Sequence, residues 1–197
     1  MSVVATKRTP VGDVRRSLIA AGHRVLRTSG VQGLTVRAVA SEAGVAPMGV
    51  YNHLDGKDGL LSALVVDGFI QLRAAVAAST DPDAATRLRD AGRAYRRFAL
   101  ANPTLYHLMF SMFAGQNIDI GDSGAEALGE LTELVRFGQA AGVIRADDPE
   151  QQTFAIWSCV HGAVSLELEA AGPDGENVDR DAIFEAVLEL IERGVSA

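Results

Sequence analysis

The chain reads as an all-α protein of about nine helices, and three observations carry that prediction. Apolar residues recur at helical spacing along most of its 197 residues, no segment shows the two-residue alternation of a half-buried strand, and clusters of Gly, Pro, Asn and Asp mostly separate the periodic stretches. At 48% hydrophobic and 22% charged, it can bury a substantial core and is not disordered.

Residues 1–12 show no periodicity and read as a loose arm. From Asp13 to Thr28, Val14, Leu18, Ala21 and Val25, with Ile19 and Leu26, share one helical face, while Arg15, Arg16, Arg24 and Arg27 point elsewhere. Ser29-Gly30 ends this helix. Thr35 is placed to N-cap the next, Leu34 and Val39 can close a hydrophobic staple over its first turn, and Val36, Val39 and Ala40 form its buried stripe. Gly44 falls where that helix must stop, because glycine takes the left-handed C-cap conformation without steric cost. Pro47 suits the first turn of a third helix running to about Leu54. Ala46 offers that helix no capping oxygen, an expected local cost of ~1 kcal/mol. Two helices joined by so short a turn cross steeply and need a third to cover them, which the stretch from Asp13 to Thr28 supplies. The pattern is a helix-turn-helix.

Asp55-Gly56 then turns the chain into a long helix from Lys57 to about Ala78, with Gly68 inside it and the Asp81-Pro82-Asp83 breaker after it. Ala84 to Ala101 is amphipathic through Leu88, Ala91, Tyr95, Phe98 and Ala99, and Asn102-Pro103 closes it. Leu105 to Phe113 is short and apolar, carrying Tyr106, Met109, Phe110, Met112 and Phe113. Gly115 to Gly124 reads as a loop, Ala125 to Ala141 as a helix stopped by Gly142, and Asp148-Pro149 as the start of a helix reaching about Ala171. A turn at 172–175 precedes the last helix, Asp179 to about Arg193.

Charge is divided unevenly. Residues 1–60 hold eight Lys/Arg against four Asp/Glu, a net of +4; the remainder holds ten against twenty-one, a net of −11. A cationic head on an anionic body is the footprint of a nucleic-acid-facing tip, since phosphate neutralisation is local. The single cysteine, Cys159, excludes an intramolecular disulfide, no signal-peptide core is present, and no uninterrupted apolar run approaches the ~18 residues of a membrane span, so the expected location is cytoplasmic.

The pattern Ala20-Ala21, Gly30, Leu34-Thr35-Val36-Arg37, Val39-Ala40, Ala43-Gly44-Val45, Tyr51-Asn52-His53, Lys57 and Leu60-Leu61 resembles the DNA-binding domain of the TetR family of bacterial transcriptional regulators, over roughly residues 12–61. That resemblance implies that Pro47, Met48 and Gly49 face base edges, that Tyr51 and His53 contact phosphate, and that Lys57 reaches phosphate from the following helix. Arg37 matches a position where the family often reads a base; a phosphate contact without specificity is the other reading. Tyr51 also reads as a half-buried aromatic holding its helix in place. Gly49 supplies no reading side chain, so direct readout rests on few groups, with arm residues Lys7 and Arg8 available to a minor groove.

Trp157-Ser-Cys-Val-His161-Gly162 invites comparison with a nucleophile and base, but Cys159 and His161 project about 200° apart on a helix and cannot pair. Trp157, His161, Val164 and Leu168 do share a face. Tyr95 to Pro103, Leu105 to Phe110 and Trp157 to Gly162 resemble the WHG-type ligand-sensing domain of one branch of TetR regulators, over roughly residues 84–171. A small-molecule contact and a satisfied structural histidine are both open for His161. Tyr95, Phe98, Met109, Phe110, Phe113, Trp157 and His161 are the candidate lining of an apolar effector pocket, with core packing as the alternative. Gly162 reads as a point of close helix approach, and Arg93, Arg96 and Arg97 as solvated helix charges, with an answer to an acidic ligand as the other reading. His23, His53 and His107 lie on separate helices without ligand spacing, so no metal or cofactor is expected.

Phe154, Trp157, Val160, Val164 and Leu168 on one late helix, and Ile183, Phe184, Val187, Leu188 and Ile191 on the other, present more apolar face than one body covers. A homodimeric four-helix interface would bury it, as the resemblance also implies, and twofold-related heads fit a palindromic duplex. The sequence thus reads as residues 1–56 binding double-stranded DNA and residues 57–197 dimerising and sensing a small effector, and the family resemblance implies that the whole acts as a repressor. The alternatives are a DNA-binding or partner-binding regulator without a ligand and, with less support, an all-helical enzyme using His161.

Overall fold

The computed structural model describes residues 11–111, 119–169 and 178–197, and among these it holds nine α-helices and no strand. They are α1 Val11–Gly33, α2 Val36–Ala43, α3 Pro47–Leu54, α4 Gly56–Val76, α5 Ala84–Ala101, α6 Pro103–Ser111, α7 Ser123–Ala140, α8 Pro149–Glu169 and α9 Arg180–Val195. The chain divides into two compact units, Met1–Gly68 with Thr104–Gly121 and Phe69–Pro103 with Asp122–Ala197.

In the first unit, α1 buries Leu18, Ala21, Val25 and Leu26 as its spacing predicts. Its helical span reaches Gly33, beyond the expected end, but Gly30 breaks the helical path at φ 64° and ψ −172°. Around α2 the local code operates as read: the Ala38 N–H donates to Thr35 Oγ1 at 3.1 Å, and Leu34 and Val39 are both fully buried. Gly44 sits at φ 69°, its N–H donating to the Ser41 carbonyl while Val45 donates to that of Ala40, a Schellman stop. A Cβ on Gly22 would stand 3.0 Å from Leu64, so α1 and the first half of α4 approach closely there. His23 Nε2 and Asp67 Oδ2, 2.7 Å apart, add a polar tie between the same helices. Met109 of α6, with no exposed surface, fills the space beside Gly68, where a Cβ would lie 2.7 Å from its sulfur.

By length and composition α4 could cross a membrane, although Asp67 and Arg73 interrupt its apolar stretch. Its Leu60, Leu61, Ala63, Leu64, Val65, Phe69, Leu72 and Val76 are instead buried in the protein. It is a core helix.

The second unit packs α5 against α7, α8 and α9 around Tyr95, Phe98, Val135, Ile156, Val160, Val164, Phe184 and Leu188. Gly92 lets α5 meet α9, since a Cβ there would lie 2.6 Å from Leu188. Beside that contact runs a ladder of ion pairs. Arg89 pairs with Glu192, Arg93 donates twice to Glu185 at 2.8 and 2.7 Å, and Arg96 donates twice to Glu167 at 2.7 and 2.8 Å and once to Asp181 at 2.7 Å. This corrects the expectation of solvated charges for Arg93 and Arg96: besides the local Arg93–Asp90 pair at 3.4 Å, their partners Glu185, Glu167 and Asp181 lie 71 or more positions away and only helix packing brings them in. Arg97 is exposed as expected. The α7–α8 connection is held by Gln139, whose amide donates to the Asp147 carbonyl at 2.8 Å and to the side chain of buried Gln152 at 2.9 Å.

The expected apolar outer face is corrected in part, with Phe154 and Ile183 exposed as expected. Val160, Val164, Phe184, Leu188 and Ile191 are core residues of their own chain; the exposed apolar side chains are Phe154 and Leu166 on α8 and Ile183 and Leu190 on α9. A helix shows two apolar sides when it is covered on one and available on the other, and spacing alone does not say which is which. Phe113, Met112, the arm residues Lys7 and Arg8 and the turn at 172–175 lie outside the described residues.

Candidate nucleic-acid interface and effector site

The helix-turn-helix is built from the inside out. Val39 and Ala40 of α2 and Val50 and Leu54 of α3 are buried, which fixes the outward rotation of α3. Pro47, Met48, Tyr51 and Asn52 are then exposed, Met48 and Tyr51 at 63% and 54%, while Gly49 and His53 are half-buried. As its sequence predicts, α3 starts at Ala46 with no side-chain cap and with Pro47 in the first turn. It ends at Asp55, a non-glycine residue at φ 53°, followed by Gly56 at φ 81°. A Cβ on Gly56 would come within 3.0 Å of the Tyr51 ring, so the ring packs on this turn while much of it stays open. Lys57 is exposed in the first turn of α4, and Arg37 is exposed in the first turn of α2.

The electrostatics of this face differ from those of the second unit. The side chains of Arg37, Tyr51, His53 and Lys57 make no hydrogen bond or ion pair among the described residues, whereas Arg89, Arg93 and Arg96 are all matched to carboxylates. Asn52 was not singled out from the sequence; it is exposed and unbonded on the same side as Met48, and counting outward positions of α3 from buried Val50 and Leu54 would have found it.

In the second unit, α5 and α8 bring Tyr95, Trp157 and His161 together. The Tyr95 hydroxyl and His161 Nδ1 are 2.9 Å apart, and the Trp157 and His161 rings lie 5.1 Å apart and tilted by 34°. Burial holds the His161 pKa below its ordinary value, so the imidazole is neutral at neutral pH. Ser165 Oγ stands 3.5 Å from its Nε2. Phe98 is buried on α5 in the same unit, whereas Met109 and Phe110 belong to the first unit. Cys159 is exposed, apart from His161 as the helical projection requires. Gly162 has nothing within 4 Å of a Cβ position among the described residues, so the close approach expected of it is not made by them.

A capped, glycine-stopped two-helix turn backed by α1, with an outward α3 carrying unmatched polar groups, defines a DNA-binding regulator of the helix-turn-helix class. Residues 18–64 match the sequence profile of bacterial regulatory proteins of the tetR family, and residues 88–191 match that of a tetracyclin repressor-like C-terminal domain. The chain belongs to the TetR family of transcriptional regulators, whose members bind DNA and are not enzymes. It is 30% identical over 176 residues to the HTH-type transcriptional regulator Rv0681 of Mycobacterium tuberculosis, covering 86% of this chain and 76% of that one. The HTH-type transcriptional regulator Rv1816 of the same organism is 25% identical over 221 residues, covering 95% and 94%. Among solved structures, a protein of unknown function from Rhodococcus sp. RHA1 superposes with a TM-score of 0.82 at 27% identity over the whole of both chains. A TetR-family regulator from Pectobacterium atrosepticum gives 0.78 at 23% identity, covering 97% and 98%, a likeness of fold.

Proposed function

We propose that the protein is a homodimeric, sequence-specific repressor that leaves a palindromic operator when a small apolar molecule binds its second unit. The observation that carries the DNA part is the set of unmatched side chains Arg37, Tyr51, His53 and Lys57 around α3, in a chain whose Arg89, Arg93 and Arg96 are all paired with carboxylates. In this reading residues 1–56 form the head. Pro47, Met48 and Gly49 lie against base edges, Tyr51, His53 and Lys57 hold phosphates, and Arg37 presents its fork to guanine O6 and N7, a contact worth ~1–3 kcal/mol of discrimination.

Residues 57–197 would pair two copies through α8 and α9. Phe154, Leu166, Ile183 and Leu190 are exposed, and Gly162 leaves open space on the same helix where a partner helix can approach. For the effector, Tyr95, Trp157 and His161 support the reading: two aromatic rings and a neutral imidazole offer flat apolar contact with one orienting hydrogen bond. Release would be a population shift in which the effector favours one orientation of α4; moving a 1:99 balance to 99:1 takes ~5.5 kcal/mol of differential binding. Genome-wide mapping of bound sites, repeated with candidate apolar ligands, tests the whole. Occupied palindromes that empty on ligand addition are expected, and occupancy insensitive to every ligand would leave a DNA-binding regulator without an effector.

A further inference from the structure

We propose that Asn52 reads an adenine in each half-site and sets the sequence preference of the recognition helix there. The inference rests on the DNA-binding reading above and extends it to a residue outside that set of contacts. Of the four side chains that α3 exposes, Pro47 and Met48 offer only apolar contact and Tyr51 a single hydroxyl; Asn52 alone carries a donor and an acceptor side by side. That pair matches the N6–H and N7 edge of adenine in the major groove.

Position supports the chemistry. Asn52 is four residues after Met48 and so lies on the same face of α3 one turn on. Helical side chains lean toward the N-terminus, which lays the Asn52 carboxamide over the turn containing Met48 and Gly49. Gly49 puts no side chain there, and among the described residues a Cβ added to it would meet only Val45, at 3.4 Å, so that flank of the carboxamide is left open by them.

No structural task competes. The C-cap of α3 is Asp55, whose N–H donates to the Tyr51 carbonyl, and the Asn52 carboxamide bonds to nothing among the described residues. Asn102, by contrast, spends its amide on the Phe98 carbonyl at 3.0 Å, closing α5. Asn52 can therefore engage a base without breaking an internal bond.

Selection from random duplexes, run in parallel on the full-length wild type, Asn52→Ala and Asn52→Asp, tests this. The wild type is expected to enrich a palindrome with a fixed A·T pair at one position per half-site. Asn52→Ala should flatten that position alone, with about 5- to 150-fold discrimination lost, and keep its salt-sensitive affinity for non-specific duplex, which shows that it is folded. Asn52→Asp should move the preference toward cytosine, whose N4–H₂ a carboxylate accepts. A palindrome enriched identically by wild type and both variants overturns the role of Asn52 while leaving sequence-specific binding intact. A wild type that enriches no sequence overturns both.

Discussion

Tyr95 and His161, 66 positions apart, meet through a 2.9 Å hydrogen bond that joins α5 to α8 beside Trp157. Tyr95 is 6% exposed, so its hydroxyl is withdrawn from bulk water and the bond is part of the packing as well as of the proposed effector site. Tyr95→Phe takes that partner from Nδ1 at a cost of about 1 kcal/mol. A fall in melting temperature of about 2–4 °C is expected, together with weaker binding of any effector that releases the protein from DNA. An unchanged melt with unchanged release would remove the bond from both roles.

The same histidine gives a pH dependence of defined sign. Because burial lowers its folded-state pKa, the unfolded chain takes up a proton before the folded one does as pH falls through about 6.5. The contribution is present in full above that value and declines below it until the folded pKa is reached. Melting curves between pH 7.5 and 5.5 should show the decline in wild type, and His161→Phe should be flatter over that interval.

Arg96 and Glu167 are only 15% and 11% exposed, so removing one leaves the other's charge poorly hydrated. Arg96→Ala should destabilise by about 3 kcal/mol, and Arg96→Met with Glu167→Leu should recover much of the loss. Chemical denaturation of the two variants checks this; a double variant no better than the single one would show that packing dominates.

Gly59, in the first turn of α4, is the position where a side chain would strike backbone: its Cβ would fall on the carbonyl oxygen of Leu54, the last residue of α3. Backbone cannot step aside as a side-chain tip can. Gly59→Ala is expected to cost about 2–3 kcal/mol and to weaken operator binding by shifting α3. A variant with wild-type melting and wild-type affinity would refute the constraint.

If six to ten phosphates are neutralised, affinity for the operator should fall roughly 10³- to 10⁵-fold between 50 and 200 mM salt. Lys57→Ala should lower the salt slope by about one unit and weaken all sequences alike, whereas Arg37→Ala should relax preference at one base pair. Titrations at four salt concentrations separate the two outcomes.

The proposed pairing through α8 and α9 makes Leu166→Glu and Leu190→Glu informative, since both side chains are exposed in one chain, at 69% and 61%, and would be buried in such a pair. Each is expected to give a folded monomer by analytical ultracentrifugation and to reduce operator affinity. Variants that sediment as wild type would place the interface elsewhere.

The sequence by itself determined whatever depends on neighbours within a turn or two of helix. Thr35, Gly44 and Pro47 specify the cap, stop and start of α2 and α3, and the buried periodicity of α1 follows from 3.6 residues per turn, because these codes are local in their physics. Tertiary structure alone decided which side of each late helix is core, why Val160 and Val164 are covered while Phe154 and Leu166 are not, and which carboxylates meet Arg93 and Arg96. Those outcomes depend on the rotation and spacing of helices distant along the chain, set at points such as Gly92 against Leu188 where a missing side chain admits a neighbour.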